Sequence, residues 1–430
     1  MAEPKHGDSV KVVTRDKEYF GILMPRPAML GSEHAILKLD SGYNIGISNK
    51  KIKEIVLIKA SEPRVRKKVP LKKYPKLPTV LILSTGGTIS SKIDYRSGGV
   101  SADYSAEDFV EMLPELKAIA NVRASKPLSI MSEDASPSDW SLIAGEIAKE
   151  IDTVDGIVVT HGTDTLHYST AAASFALQNL GKPVIFTASQ RSIDRGSSDA
   201  FMNLLCAVRA AAVFDFGGVA TCLHATSSDD YCLLIRGTKV RKMHTSRRDA
   251  FRPINEKALA KVLADGNIEV INPHYHKRHD GAITLKNSFE KKVALVLVHP
   301  GMDPGVIDYY LEKGCKGIVL SATGLGHLPV NNRKHSLLPQ LKKASKKGIP
   351  VIITSQCLYG AVHPFVYTNL RRVSMEGGGI FAEDMLPEVA FVKLAWVLGQ
   401  ATDYETVKRM MLESVAGEIN LRHLDDEFLT

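Results

Sequence analysis

A strand that stops at two consecutive glycines constrains this sequence more than any other feature. Residues 79–84 form a run of mostly apolar and β-branched residues, and the chain continues at once into Thr85-Gly86-Gly87-Thr88. Such a run predicts a central strand that is buried on both faces. Paired glycines allow a sharp turn and the close approach of a ligand. Because open α/β sheets bind ligands beyond the carboxyl ends of their strands, we expect Thr88, with Thr85 as a second choice, to present a hydroxyl at a pocket.

Size and composition indicate a globular protein of more than one domain. The chain has 430 residues, of which 44% are hydrophobic and 24% charged, enough for two or three domains with proper cores. No apolar run reaches the roughly 18 residues that a membrane span needs, and the amino terminus has no apolar signal segment, so we expect no membrane contact. Five scattered cysteines without a CxxC pair favour reduced thiols and a cytoplasmic location.

The pattern of strands, helices and charge divides the chain into five parts. Residues 1–60 contain short strands separated by turns without helical periodicity, which predicts a small SH3-like β-barrel domain. Residues 61–78 are rich in Lys, Arg and Pro and hold part of the net charge of +8; we interpret them as a solvated basic linker rather than a nucleic-acid site. Alternating strands and helices predict a larger α/β domain over 79–270 and a smaller one over 291–430, with a polar connector at 271–290.

A second strand end in the larger domain has the same character as the first. The predicted strand 156–160 runs into His161-Gly162-Thr163-Asp164-Thr165. A hydroxyl is a poor nucleophile until a base takes its proton, and the lysines of the polar stretch 236–245 are the available amines. The residues alone do not select one of them. Gly87 and Gly162 are the natural sources of backbone N–H groups for an oxyanion hole.

The two strand-end motifs together resemble the signature motifs of the bacterial-type L-asparaginase family. The resemblance covers residues 79 to about 425 and implies an asparaginase-like core of two α/β domains with parallel sheets. With its N-terminal β domain, the whole chain is similar to the D subunits of archaeal glutamyl-tRNA(Gln) amidotransferases. These are asparaginase-like glutaminases.

The resemblance implies a role for individual side chains. It gives Thr88 the role of first nucleophile, assisted by Tyr95 from the stretch 92–100. It further implies that Thr163, Asp164 and Lys242 form a second group of hydroxyl, carboxylate and lysine base.

The same resemblance implies a segment that binds the amino-acid part of the substrate. Ser132 and Asp134 correspond to the residues that hold its α-carboxylate and α-amino groups. Glu133 stands between them where the family usually has Gln, and His327 stands where asparaginases often have Asn.

The resemblance also implies partners. We expect a homodimeric core that joins the E subunit of the amidotransferase in a heterotetramer, with glutamine as the small-molecule substrate. Glu-tRNA(Gln) is then bound mainly through the E subunit. No cofactor is expected in this chain, and ATP and Mg are expected at the partner.

Five other interpretations are weaker. Cys357 follows a predicted strand, but the glycines of a nucleophile elbow are missing, so we expect a structural thiol. Neither G-x-x-x-x-G-K-[ST] nor G-x-G-x-x-G occurs, which argues against nucleotide binding by this chain. Three histidines at 274, 276 and 279 have no acid or cysteine at ligand spacing, so a connector is favoured over a metal site. A free-standing asparaginase leaves the N-terminal module and the basic linker without a role, and a non-catalytic scaffold leaves the two motifs unexplained.

Overall fold

The structure is a computed structural model of the full chain. It describes residues 3–25, 33–41, 43–60, 73–87, 89, 92–93, 100–101, 106–193, 196–331 and 334–428. The chain divides into two compact units, which are described separately. One contains residues 1–71 and 90–103, and the other contains residues 72–89 and 104–430.

The strands and helices alternate after a first group of strands. The strands are β1 Ser9–Thr14, β2 Glu18–Met24, β3 His34–Lys38, β4 Asn44–Ser48, β5 Ile52–Lys59, β6 Thr79–Ser84, β7 Lys92–Ile93, β8 Val100–Ser101, β9 Asn121–Ser125, β10 Gly156–Thr160, β11 Leu177–Gln178, β12 Pro183–Thr187, β13 Gly218–His224, β14 Tyr231–Arg236, β15 Val240–Lys242, β16 Phe251–Pro253, β17 Ala260–Leu263, β18 Ile268–Val270, β19 Thr284–Leu285, β20 Val293–Leu297, β21 Gly317–Ala322, β22 Val351–Ser355 and β23 Gly379–Phe381. The helices are α1 Ala106–Met112, α2 Pro137–Glu150, α3 Leu166–Ala176, α4 Ala200–Val213, α5 Gly305–Glu312, α6 Leu338–Lys346, α7 Thr368–Arg371, α8 Pro387–Leu398 and α9 Tyr404–Leu412.

The first unit contains the small β domain. Its strands form an antiparallel sheet in the order β4-β3-β2-β1-β5, and alternate residues such as Val10 and Val12 point into one apolar core with Leu23, Leu37 and Ile47. This period-2 burial is the one that the sequence predicts for residues 9–58. The short strands β7 and β8 pair antiparallel.

A large mixed sheet organises the second unit. In the described part of the chain its order is β18-β17-β14-β13-β12-β10-β6-β9, and the five strands from β13 to β9 are parallel. The central strands β6, β10 and β12 are buried on nearly all positions, as their continuous apolar sequences predict. Because these strands are parallel, the loops after β6 and β10 emerge at one edge of the sheet.

The second sheet of this unit is parallel and smaller. Its order is β20-β21-β22-β23 among the described residues. Helices α3 and α8 pack against each other, and they share one apolar core with residues of both sheets, including Leu83 and Val319. No helix in the described ranges is long and apolar enough to cross a membrane.

The predicted fold class is confirmed, and a few element ends differ. The sequence of residues 166–179 predicts one helix, but the helix ends at Ala176, because Leu177–Gln178 pairs with Thr284–Leu285 of the connector. The sequence also predicts a helix over residues 199–213. This helix starts at Ala200, and Asp199 precedes it as the N-cap residue. The four proposed boundaries between the five parts of the chain stay predictions.

Candidate active site

The loops that follow β6 and β10 are joined by hydrogen bonds at the carboxyl edge of the large sheet. The backbone N–H and the hydroxyl of Thr85 both donate to the carbonyl of Thr160, at 3.0 and 2.9 Å. The carbonyl of Thr85 accepts from the N–H of Ile130 at 3.0 Å, and this brings in the loop after β9. Three loops therefore meet where an α/β sheet places its ligand.

Glycines allow these loops to approach each other this closely. A Cβ atom on Gly87, whose φ is +80°, would lie 2.5 Å from the backbone nitrogen of Gly162. A Cβ atom on Gly162 would lie 2.6 Å from the hydroxyl oxygen of Ser132. Both distances are far below van der Waals contact, so packing requires both glycines. At Gly87 the positive φ is a second reason.

Lys242 meets the second motif at this edge. Its ammonium donates to the hydroxyl oxygen of Thr163 at 2.9 Å and to Asp164 Oδ1 at 2.7 Å. The Lys242 side chain is only 10% exposed, whereas that of Asp164 is 62% exposed. The structure thus brings together the hydroxyl, the carboxylate and the amine that the sequence predicts, although Lys242 lies 79 residues from Thr163.

The segment predicted to hold the amino-acid part of the substrate lies beside the second motif. Ser132 is buried at the start of a 3-10 turn, Ser132–Asp134, whose two acidic residues are exposed. The hydroxyl of Thr165 donates to the carbonyl of Ser132 at 2.6 Å, which holds this turn against the loop after β10. Thr165 thus positions this turn, and no local sequence signal distinguishes it from the other hydroxyl residues of the motif. Glu133 and Asp134 present their carboxylates to solvent from this turn.

The loop after β10 offers backbone donors. Among the described residues, the N–H groups of Gly162, Thr163 and Asp164 donate to no other group. They precede α3, whose N-terminal end favours negative charge. The arrangement suits the binding of a carboxylate or the oxyanion of an acyl-transfer intermediate.

Two buried histidines near this loop are neutral. His161 Nδ1 lies 2.8 Å from the carbonyl of Gly162, which can only accept, so Nδ1 carries the proton and Nε2 accepts from the Ser169 hydroxyl at 3.0 Å. Burial lowers the pKa of His161, and the hydrogen bond to Gly162 opposes this only partly. Burial, followed by the charges of Arg241 and Lys242, lowers the pKa of His167 to about 3. Neither imidazole adds positive charge to the site at neutral pH.

The remaining predicted residues have different outcomes. Thr88 and Tyr95 lie outside the described residues; Thr88 follows Gly87 directly in the chain. The prediction that Thr85 displays its hydroxyl at the pocket is wrong, because Thr85 is 1% exposed and its hydroxyl is used on Thr160. Of the lysines in the stretch 236–245, Lys242 reaches the second motif. Lys239 is instead buried and pairs with Asp384 at 2.6 Å.

The connector histidines lie elsewhere. His274, His276 and His279 line a cavity of about 960 Å³ with residues at the amino ends of strands, including Gly218, and with the segment after α9. The carbonyl of His276 accepts from Gly217 N–H, and Arg278 donates to three carbonyls of the larger domain. Within the described ranges, no three His, Cys, Asp or Glu side chains gather in a way that could hold a metal ion. Cys357 is exposed just after β22, and the other four cysteines are buried.

Comparison with known proteins finds three family matches along the chain. Residues 5–58 match the family described as GatD N-terminal domain, 79–276 match Asparaginase, N-terminal, and 292–411 match Glutaminase/Asparaginase C-terminal domain. The chain is 47% identical over 420 residues to the D subunit of the glutamyl-tRNA(Gln) amidotransferase of Pyrococcus furiosus, covering 96% of this chain and 94% of the relative. It belongs to the family of glutamyl-tRNA(Gln) amidotransferase D subunits. The D subunit from Methanothermobacter thermautotrophicus is 46% identical, covering 97% of this chain and 94% of the relative.

Solved structures confirm the asparaginase-like core. The thermostable L-asparaginase from Thermococcus kodakarensis superposes on this chain with a TM-score of 0.72 and is 32% identical to it. The match covers 80% of this chain and 99% of the asparaginase. L-asparaginase I from Vibrio cholerae superposes with a TM-score of 0.70 and is 32% identical. The match covers 80% of this chain and 100% of that asparaginase. A complete asparaginase fold therefore accounts for four fifths of the chain, and a separate family matches its N-terminal domain.

Proposed function

We propose that this chain is the glutaminase subunit of a tRNA-dependent amidotransferase. It hydrolyses the side-chain amide of glutamine and supplies ammonia for the conversion of Glu-tRNA(Gln) to Gln-tRNA(Gln) by its partner, the E subunit. The contact of Lys242 with Thr163 and Asp164, within a chain 47% identical to an amidotransferase D subunit, is the observation that carries this proposal.

The reaction is an acyl transfer to a threonine and then to water. The Thr88 hydroxyl attacks the carboxamide carbon, and its proton passes toward the basic groups of the site. The carbonyl electrons move onto oxygen, where N–H groups of the loop at 162–164 stabilise the negative charge. Collapse of this intermediate breaks the C–N bond, and ammonia leaves with an added proton. Water then attacks the ester, releases glutamate and returns the proton to the threonine.

The group of Thr163, Asp164 and Lys242 activates the nucleophile in one of the two steps, either the attack of Thr88 on the amide or the attack of water on the ester. The 2.9 Å contact between Lys242 Nζ and the Thr163 oxygen is short enough for direct proton transfer. Asp164 holds the amine from the solvent side at 2.7 Å. Tyr95 assists Thr88, and Ser132, Glu133 and Asp134 bind the α-carboxylate and α-amino groups of glutamine. The exposed acids of this turn suit the ammonium end of the substrate.

The chain works in an assembly rather than alone. Two copies form the core, one E subunit joins each of them to give a heterotetramer, and Glu-tRNA(Gln) is held mainly by the E subunits. This chain needs no cofactor of its own, and ATP and Mg act at the partner. Hydrolysis of glutamine is slow until the E subunit and its tRNA are bound.

Reconstitution with the E subunit tests the proposal by comparing two nitrogen donors. Thr88→Ala is expected to abolish amidation of Glu-tRNA(Gln) from glutamine while free ammonium still supports it. Thr284→Ala, in an exposed short strand, is the matched control and should keep both activities. Loss of both donors in Thr88→Ala would mean that folding or docking, and not the amide hydrolysis, depends on this residue.

A free-standing L-asparaginase is the second candidate, because 80% of the chain covers complete asparaginases. Steady turnover of asparagine by the isolated chain, unchanged by the E subunit and tRNA, would favour it. Preference for glutamine that rises when both are added would exclude it.

A further inference from the structure

The strand that carries Lys242 is attached to the C-terminal part of the chain by its neighbouring residue. Strand β15 is three residues long and pairs with β16. Because successive side chains of a strand point to opposite sides, Arg241 extends away from Lys242. Its Nη1 donates to both carboxylate oxygens of Glu388, at 3.0 and 2.9 Å.

Glu388 is a fixed acceptor. It lies in the first turn of α8, whose residues are nearly all buried, and its side chain is only 4% exposed. The N-terminal end of a helix stabilises a negative charge. Burial raises the pKa of Glu388, and the charge of Arg241 opposes this rise. The nearby imidazole of His167, 4.0 Å away, is neutral and does not replace the arginine.

A second ion pair attaches the preceding turn to the same segment. Lys239 donates to Asp384 at 2.6 Å, and both side chains are almost fully buried. This contact is three residues from Lys242 and belongs to the core. The Arg241–Glu388 pair is adjacent to Lys242 and partly open to solvent, since Arg241 is 33% exposed. The Arg241–Glu388 pair can therefore orient β15 at the site, whereas the Lys239–Asp384 pair is part of the core that stabilises the fold.

We propose that Arg241 and Glu388 are positioning residues that hold the amine of Lys242 on Thr163 and Asp164. The proposal rests on the proposed function, because it concerns the same amide hydrolysis. The C-terminal part of the chain thereby sets the geometry of a site whose reacting groups all lie in the larger domain. Loss of the pair lets β15 rotate or shift, and the Nζ–Oγ1 contact of 2.9 Å lengthens.

Steady-state kinetics of glutamine hydrolysis by the full chain, with the E subunit and tRNA present, test this role. Arg241→Met and Glu388→Leu are each expected to lower kcat by about 10- to 100-fold, because small displacements of a catalytic group cost this much. KM is expected to stay within about twofold, since neither side chain binds glutamine. The double variant should lose no more than either single variant, because the two residues act as one unit.

Conservative variants and a matched control separate positioning from general destabilisation. Arg241→Lys keeps the charge and should recover most of kcat, whereas Glu388→Gln removes the charge at constant size and should not. Asp308→Asn breaks a 2.6 Å ion pair with Lys343 in the same part of the chain and should leave kcat and KM unchanged.

The proposal is overturned if Arg241→Met and Glu388→Leu keep kcat within about twofold of the unmodified chain, or if their losses add fully in the double variant. If either variant fails to fold by circular dichroism, Arg241→Lys and Glu388→Gln decide: equal kcat in the two overturns it. An unmodified chain that releases no ammonia would instead contradict the proposed function, because the variants are judged only against an active parent.

Discussion

Replacement of Lys242 by methionine is expected to separate catalysis from stability. Methionine fills a similar space but lacks the amine, so the contacts of 2.9 Å to Thr163 and 2.7 Å to Asp164 are both lost. A positioned acid–base group contributes about 10²- to 10⁴-fold to a rate. This corresponds to about 2.7–5.5 kcal/mol of transition-state stabilisation. The expected loss in kcat for glutamine hydrolysis is of this size.

The stability of the folded chain should change little in this variant. The carboxylate of Asp164 is 62% exposed, so water replaces the lost ammonium. Ion pairs with one partner in solvent contribute about 0–1 kcal/mol to folding, and the methionine retains the apolar contacts of the lysine stem. The free energy of unfolding is therefore expected to fall by less than about 1 kcal/mol.

The assay combines ammonia release from glutamine with denaturant unfolding of the same preparation. Lys257→Met is the matched control, because Lys257 pairs with the exposed carboxylate of Asp426 rather than with a residue of the site. It should retain full activity. A Lys242→Met variant that is folded and fully active would refute the reasoning. A variant that loses activity because it is unfolded would refute it as well.

Three further predictions follow from named contacts. Gly162→Ala places a methyl group 2.6 Å from the Ser132 hydroxyl, so kcat/KM for glutamine should fall about 100-fold in steady-state assays. Glu418→Gln leaves the ammonium of Lys393 buried without its counter-charge, where both side chains are 0% exposed, so chemical denaturation should show a loss of about 3–5 kcal/mol. Folding lowers the pKa of His167 from 6.5 to about 3, so below pH 6.5 the unfolded chain binds a proton that the folded chain does not. Stability is therefore lost as the pH falls, by about 1.4 kcal/mol per unit, and His167→Gln should remove this contribution when unfolding is compared at pH 7 and pH 5.

Controls for these predictions are available in the chain. A Cβ on Gly196 meets nothing within 4 Å, so Gly196→Ala should retain kcat/KM. Glu405 is exposed, and Glu405→Gln should not change the unfolding free energy. Equal behaviour of Gly162→Ala and Gly196→Ala would contradict the packing argument. A pH dependence that is the same with and without His167 would contradict the burial argument.

The central strands and the strand-end motifs could be predicted because their signals are local. Within the strand 79–84, residues 80–83 are apolar without interruption, and a strand buried on both faces has this composition. The glycines beside Thr88 and Thr163 mark turns for the same local reason. The small β domain was predictable from alternation, since Val10 and Val12 are buried and their neighbours are not.

Contacts between distant parts of the chain could not be predicted in this way. The sequence places Lys239 and Lys242 in one polar stretch, and nothing local shows that the first is buried against Asp384, 145 residues away. The same applies to Arg241 and Glu388, which are 147 residues apart. Thr85 was misjudged because its hydroxyl partner, the carbonyl of Thr160, is supplied by the neighbouring strand. The resemblance to a known family, rather than the residue pattern, selected Lys242.

The account depends on one group of side chains around a single carboxamide, and covalent labelling tests this most directly. A diazoketone analogue of glutamine, incubated with the chain, the E subunit and tRNA, should attach to the nucleophile, and peptide mass spectrometry should locate it. We predict one label on Thr88, formed much more slowly in Lys242→Met. A label on Cys357, or one on Thr88 that forms at the same rate without Lys242, would contradict the account.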